Sequence, residues 1–151
     1  IMSNFFDKLT VRHLTKDDLD SIVEIDTKVL GEARREYWVT KIIKEADTRP
    51  SDASLVSEID GKVVGFILGE VSGWEFKVPN NIGWIDTIGI DPDYQNRGIA
   101  KVLATALVAN LKTYGVDTIY TLVNWNDWDL LQFFHAMGFS RGDMINLVLK
   151  V

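Results

Sequence analysis

The sequence predicts one mixed α/β domain, and three observations carry that prediction. β-rich runs alternate with segments whose apolar residues recur at helical spacing, in the order β-α-α-β-β-β-α-β-α-β. Asp60-Gly61 separates two adjacent β-rich runs, a strong hairpin signal. A central strand–helix–strand unit implies one parallel pair, since a helix must carry the chain back between parallel strands. The 151 residues suit a single domain spanning 1–151.

Each element has its own signal. Leu9 to Leu14 reads as a short first strand. Thr15, with Asp18 three residues on, is an N-cap signature that launches a helix carrying Leu19, Ile22 and Val23 and ending at Gly31. A second helix, from about Arg34 to Glu45, places Tyr37, Trp38, Lys41 and Ile42 at helical spacing, and its basic residues read as solvated. Thr48-Arg49-Pro50-Ser51-Asp52 is a loop by composition. Ala53–Ile59 and Lys62–Val71 form antiparallel strands around Asp60-Gly61. Ser72 to Asn81, with Gly73, Trp74 and Pro79, is a long loop of the kind that carries function. Ile82–Ile90 is a strand. Gly98 to Tyr114 is a helix with Ile99, Val102, Leu103, Ala106, Leu107 and Leu111 on its buried face, closed by Gly115. Thr118–Val123 reads as a buried strand, Asp129–Met137 as a short helix stopped by Gly138, and Ile145–Lys150 as a last strand.

Composition narrows the function. With 46% hydrophobic residues, 25% charged residues and three prolines, the chain can bury a core. A net charge of −6 without a Lys/Arg cluster argues against a nucleic-acid partner, and an acidic surface suits amines. There is no cysteine, hence no disulfide, thiol nucleophile or cysteine metal site. His13 and His135 lack metal-ligand spacing, so no metal is expected, and His135 reads as a surface residue. No run of about 18 apolar residues and no signal-peptide pattern is present, so the expectation is a cytoplasmic protein with no membrane partner. Monomer and homodimer both stay open, with five tryptophans as material for an apolar dimer face.

Chemistry concentrates between Ile90 and the helix that follows, in Asp91-Pro92-Asp93-Tyr94-Gln95-Asn96-Arg97-Gly98-Ile99-Ala100. A strand, a tight glycine-containing loop and a helix N-terminus together form an anion cradle, because unpaired backbone N–H groups and the helix dipole converge on one spot. Gly98 leaves room for an anion to approach the backbone, and Ala100 stays small. The plainer alternative is a turn glycine beside a surface arginine.

Gln95-Asn96-Arg97-Gly98-Ile99-Ala100 resembles the acetyl-CoA-binding motif of the GNAT superfamily, Gln/Arg-x-x-Gly-x-Gly/Ala, and follows an Ile88-Gly89-Ile90-Asp91-Pro92 strand end common in that family. Downstream, Asn124-Trp125-Asn126 and Phe133-Phe134-His135-Ala136-Met137-Gly138-Phe139 are similar to the family's Asn-containing turn and its Leu-Tyr-x-x-x-Gly-Phe segment. The resemblance implies an N-acetyltransferase fold: a mixed central sheet, flanked by helices, whose fourth and fifth strands splay apart to admit acetyl-CoA. Gly89 is a candidate to assist that departure from pairing. It further implies that the backbone of Ile88 and Ile90 meets the pantetheine arm and that the amides of Gln95, Asn96, Arg97, Gly98, Ile99 and Ala100 hold the pyrophosphate, with Lys101 adding charge. Phe134 would pack near the thioester. Asn126 has two readings, a hydrogen bond to the cofactor or a cap on the next helix.

Acetyl transfer needs a neutral amine, a donor for the developing oxyanion and a proton for the departing thiolate. By resemblance the oxyanion donor is the N–H of Ile88. Strand alternation places Asp86 on the same face as Trp84 and Ile88, which makes it the leading general base. Its alternative role is to bind a cationic substrate or to cap a loop, and Glu70 is the second candidate base. Phe134 stands where many members carry a proton-donating tyrosine, so either Tyr120 or Tyr94 replaces it or no enzyme acid is required. The resemblance implies an acceptor cleft between the first two helices and the loop after the third strand, at Tyr37, Trp38, Trp74, Glu75 and Phe76, with Asp26 added because it falls on an otherwise apolar stripe; aromatics and acids suit a cationic amine, and core or dimer contacts are the alternative for these aromatics. The acceptor is then a peptide or protein amino group, or a small amine. The alternative is a module that binds acetyl-CoA with little or no turnover.

Overall fold

The structure is a computed structural model and describes residues 5–45, 50, 53–72 and 81–151. Trp74, Glu75 and Phe76, and most of the loop before Ala53, lie outside the described residues. The chain divides into two units, one running to Thr121 and one of Leu122–Val151.

The first unit is built on a five-stranded sheet of β1 (Leu9–His13), β2 (Ser54–Ile59), β3 (Lys62–Ser72), β4 (Ile82–Ile90) and β5 (Thr118–Thr121), in that order. The first four strands are antiparallel to one another in sequence order, and β5 runs parallel to β4. Asp60 and Gly61 both have positive φ, 51° and 78°, the backbone a two-residue hairpin demands. Helices cover both faces. On one lie α1 (Leu19–Leu30) and α2 (Arg35–Val39), the latter continued by a π-helical turn over Thr40–Lys44. Their Ile22, Ile25, Trp38 and Ile42 pack with Val56, Val63, Phe66 and Leu68. The other face carries α3 (Ile99–Thr113), the crossover between β4 and β5.

Close approach of α3 to the sheet follows from a pattern in the sequence. Leu103, Leu107 and Leu111, four residues apart and fully buried, sit over Gly65, Gly69 and Gly83. A Cβ on those glycines would lie 3.2 Å, 2.9 Å and 3.0 Å from the respective leucine methyl groups. Ala104 completes the buried stripe, whereas Val102 and Ala106, expected on it, are only half-buried.

Arg12 ties β1 to its neighbours. It donates to both oxygens of Asp18, at 2.8 Å and 2.7 Å, and to Glu58 at 2.5 Å. Asp18 also accepts from the N–H of Thr15 at 2.8 Å, so the expected N-terminal signature is present. Burial works against ionisation of Asp18, but the bonds from Arg12 and Thr15 outweigh it and hold the carboxyl below its ordinary range.

In the second unit α4 spans Trp128–Ala136, and Asp127 caps it by accepting from the N–H of Leu130 at 3.1 Å. Phe134 is buried, with its ring 5.1 Å from Phe133 and 5.0 Å from Phe139. Two strand expectations need correction. Thr118–Val123 is shortened to β5 and is half-exposed rather than buried. Ile145–Lys150 pairs with no strand among the described residues, and Ile145, Leu147, Val148 and Leu149 are exposed. No described helix is long and apolar enough to cross a membrane.

Candidate functional site

The loop from β4 to α3 is anchored at its start. Asp91 is buried, and its N–H donates to the carbonyl of Val64 at 2.8 Å. Its carboxylate accepts from the N–H of Asp93 at 3.0 Å and from Lys28 Nζ of α1 at 3.1 Å. Burial alone would raise the Asp91 carboxyl, but these bonds and the Lys28 charge prevail and lower it. The segment Pro92–Tyr94 then makes one 3-10 turn, and Gln95 Nε2 donates to the carbonyl of Ile90 at 3.2 Å.

Next the backbone turns through the left-handed region twice, at Asn96 (φ 62°) and Gly98 (φ 86°), before α3 begins. The N–H groups of Asn96, Arg97, Gly98, Ile99, Ala100 and Lys101 reach no acceptor among the described residues. Orphan amides at the positive end of a fifteen-residue helix form an anion site, and Gln95 to Gly98 are solvent-exposed. No acidic side chain lies within Gln95–Lys101. The donor set therefore fits a pyrophosphate. Ile99 is buried in the core, so it offers its amide alone, while the Arg97 guanidinium rests 5.6 Å from the Tyr94 ring centroid and 5.3 Å from that of Phe5.

Beside this loop β4 changes partners. Ile82 to Ile85 pair with Thr118 to Thr121 of β5, but Thr87 to Ile90 pair only with β3 among the described residues. This open backbone edge, which includes Ile88 and Ile90, is the expected splay. Its onset differs from expectation. Leu68 pairs with Thr87 and Gly69 with Ile85, so Asp86 is the extra residue of a β-bulge. Alternation therefore breaks at Asp86. Trp84 shares the face of its partner Glu70, the face toward α1 and α2, whereas Ile88 lies on the α3 face. Gly89 is not the source of the irregularity. It makes room for Phe66, whose ring would come within 2.5 Å of a Cβ there.

The bulge turns Asp86 toward α2, where its Oδ2 accepts from Lys41 Nζ at 2.6 Å. Lys41 also lies 5.7 Å from the Tyr37 ring centroid. Of the basic residues of the second helix, read as solvated, Lys41 and Arg34 are thus engaged, while Arg35 and Lys44 are exposed. Asp26 is buried and fully committed, accepting from Arg34 Nε at 2.8 Å, Arg34 Nη2 at 3.0 Å and Trp38 Nε1 at 2.7 Å. Desolvation opposes its ionisation, and the Arg34 and Trp38 bonds more than compensate, leaving its carboxyl lowered. Trp38 has no exposed surface. Asp26 and Trp38 are therefore structural supports here, in place of the acceptor contacts expected of them. Tyr37 stays 39% exposed with Arg34 4.3 Å above its ring, and it keeps its candidacy. Glu70 is half-buried, and its side chain has no hydrogen bond or ion pair among the described residues.

In the second unit, Asp127 and not Asn126 caps α4, which removes one of the two readings of Asn126. Asn126 is exposed, its N–H donating to Asn124 Oδ1 at 3.0 Å, and His135 is exposed as expected. Lys28, Arg34 and Lys41 are the charges that sequence reasoning did not place. Only Lys41 had a usable signal, its i,i+4 spacing from Tyr37.

Residues 19–139 match the family described as Acetyltransferase (GNAT) family. An uncharacterized N-acetyltransferase of Methanocaldococcus jannaschii is 26% identical over 98% of this chain and 68% of its own length. An N-alpha-acetyltransferase of Sulfurisphaera tokodaii is also 26% identical, over 87% of this chain and 80% of its own. Among solved structures, AAC(6')-Iy in complex with the bisubstrate analog CoA-S-monomethyl-acetylneamine has a TM-score of 0.77 at 15% identity, covering 95% of this chain and 98% of its own. With the mixed sheet, the open edge of β4 and the amide cradle at α3, the matched span places this chain in the GNAT acetyltransferase family.

Proposed function

We propose that the chain transfers an acetyl group from acetyl-CoA to a primary amine within a ternary complex, the acceptor being a peptide or protein amino group or a small amine. The observation that carries this reading is the run of amides from Asn96 to Lys101 at the head of α3 that reach no acceptor among the described residues, adjoining the β4 edge of Thr87 to Ile90, which pairs with β3 and with no other described strand. The amides and the Arg97 and Lys101 charges hold the pyrophosphate, and the backbone of Ile88 and Ile90 lies along the pantetheine. Acetyl-CoA supplies an activated acyl carbonyl. The N–H of Ile88 serves the carbonyl oxygen as charge develops on it. Asp86 either takes the amine proton or holds the cationic acceptor, and its ion pair with Lys41 favours the second role, because an incoming ammonium can compete for the same carboxylate. Glu70 remains the other candidate base. The amine nitrogen forms the new C–N bond as the C–S bond breaks. Phe134 has no proton to give, and a thiol with a pKa of about 8.5 leaves tolerably without an enzyme acid.

The likeness to an N-alpha-acetyltransferase favours a peptide acceptor, and the fold shared with an aminoglycoside acetyltransferase keeps small amines in the panel. Phe134 also favours a second reading, a module that binds acetyl-CoA with little turnover. Release of CoA thiol from acetyl-CoA, measured against peptides, polyamines and aminoglycosides with Asp86→Asn alongside, separates the two. The enzyme reading expects release with one acceptor class and a loss in Asp86→Asn. Tight binding with no release across the panel supports the module.

A further inference from the structure

We propose that Lys41 is a self-acetylation site: its amine takes the acetyl group within its own chain when no external acceptor fills the cleft, and the neutral product frees Asp86 for cationic acceptors. The inference rests on the transferase reading above and deepens it. An acceptor amine must come within hydrogen-bond distance of the carboxylate that holds it or takes its proton. Lys41 Nζ already lies there, 2.6 Å from Asp86 Oδ2, and like the acceptor it is a primary amine. Asp86 adjoins the open edge of Thr87 to Ile90, with Ile88 about 7 Å further along the strand. The amine therefore stands beside the stretch of β4 along which the thioester is offered.

The fold holds Lys41 in that place. It stands between Trp38 and Ile42, both buried in the core, so its backbone is fixed by packing. A π-helical turn over Thr40–Lys44 carries it, a geometry found often at functional positions. Its side chain is 20% exposed, against 34% for Lys28 and 51% for Lys62, and its Nζ lies 5.7 Å from the Tyr37 ring centroid. An amine on an aliphatic stem, beside an aromatic ring and a carboxylate, has the shape of a bound alkylamine acceptor. The step balances. Lys41 first passes its ammonium proton through Asp86 Oδ2 to water, which reaches this 26% exposed carboxylate. Nζ then bonds to the acetyl carbonyl carbon as the C–S bond breaks. The second proton that Nζ sheds neutralises the thiolate, giving CoA thiol and an Nε-acetylated Lys41. The new amide carries no charge, so the ion pair with Asp86 is lost.

Incubation of the full chain with acetyl-CoA and no acceptor, read by intact mass and peptide mapping, tests this. The expected product carries one acetyl group, on Lys41, formed with a rate constant independent of protein concentration, as transfer within one chain requires. Asp86→Asn should slow it by about 100-fold, the low end for a positioned proton acceptor. Lys41→Arg keeps a cation beside Asp86 and should stay unmodified. The acetylated protein and Lys41→Gln should both show a KM for a cationic acceptor lowered by about 3- to 10-fold. Turnover of an external amine with Lys41 left unmodified overturns the proposal and leaves the transferase reading intact. Acetylation spread equally over Lys28, Lys41 and Lys62, or undiminished in Asp86→Asn, overturns it as well. A chain that acetylates neither Lys41 nor any amine overturns both.

Discussion

Gly69→Ala should destabilise the fold, even though alanine favours folding at an ordinary backbone position. The new Cβ would sit 2.9 Å from a Leu107 methyl and 3.0 Å from each of two backbone oxygens, those of Ala53 and Trp84. The methyl can yield by a small rotation. The oxygens belong to the chain entering β2 and to β4, next to the bulge at Asp86, and yield only if the strands move. Overpacking of this kind costs about 1–3 kcal/mol, and rigid backbone neighbours place it at the upper end. A narrower unfolded ensemble returns about 0.4–1 kcal/mol. The net is a loss of about 2 kcal/mol, which for a chain of this size lowers Tm by about 4–8 °C. Urea and thermal unfolding followed by circular dichroism measure it. Leu107→Ala in the same background should rescue little, because the oxygens remain. A Gly69→Ala protein as stable as the parent would refute the account of how α3 and the bulge are seated.

Other expectations follow from single contacts. Ser57 Oγ is buried without a hydrogen-bond partner among the described residues, so Ser57→Ala should raise stability by about 1–2 kcal/mol in urea denaturation. Asp18, Asp26 and Asp91 all titrate below their ordinary range in the fold. The unfolded chain therefore binds more protons at pH below about 4, and the stability these groups contribute is complete above that value and lost as the pH falls through their folded values. Unfolding free energies from pH 7 down to pH 3 should be level at first and then fall, and a rise on acidification would contradict the assignment. Lys41→Met removes the ammonium from Asp86 Oδ2, and KM for a cationic acceptor should fall by about 3- to 10-fold, as expected from a partly exposed ion pair worth about 1 kcal/mol.

What sequence reasoning reached was local. The turn at Asp60-Gly61, the stop at Gly31 and the cradle at Gln95 to Ala100 depend on conformations that neighbouring residues impose, and each is legible within a few positions. What it missed depends on distant partners. Alternation placed Asp86 with Ile88, but the bulge exists because β3 and β4 pair two residues against one, which neither strand shows alone. Asp26 interrupts an apolar stripe and reads as a binding residue until Arg34 and Trp38 fold over it. Lys41 finds Asp86 across 45 positions. Ile145–Lys150 has the residues of a strand, and its pattern says nothing of which edge, if any, will receive it.

The central claim, that the head of α3 and the open edge of β4 hold acetyl-CoA, is tested most directly by amide resonances followed as acetyl-CoA is added to the labelled protein. The account predicts that the largest shifts fall on Asn96 to Lys101, with a second group at Asp86 to Ile90, and that free CoA reproduces the first group. Saturating acetyl-CoA that leaves both groups unmoved, or shifts that map elsewhere on the chain, would contradict it.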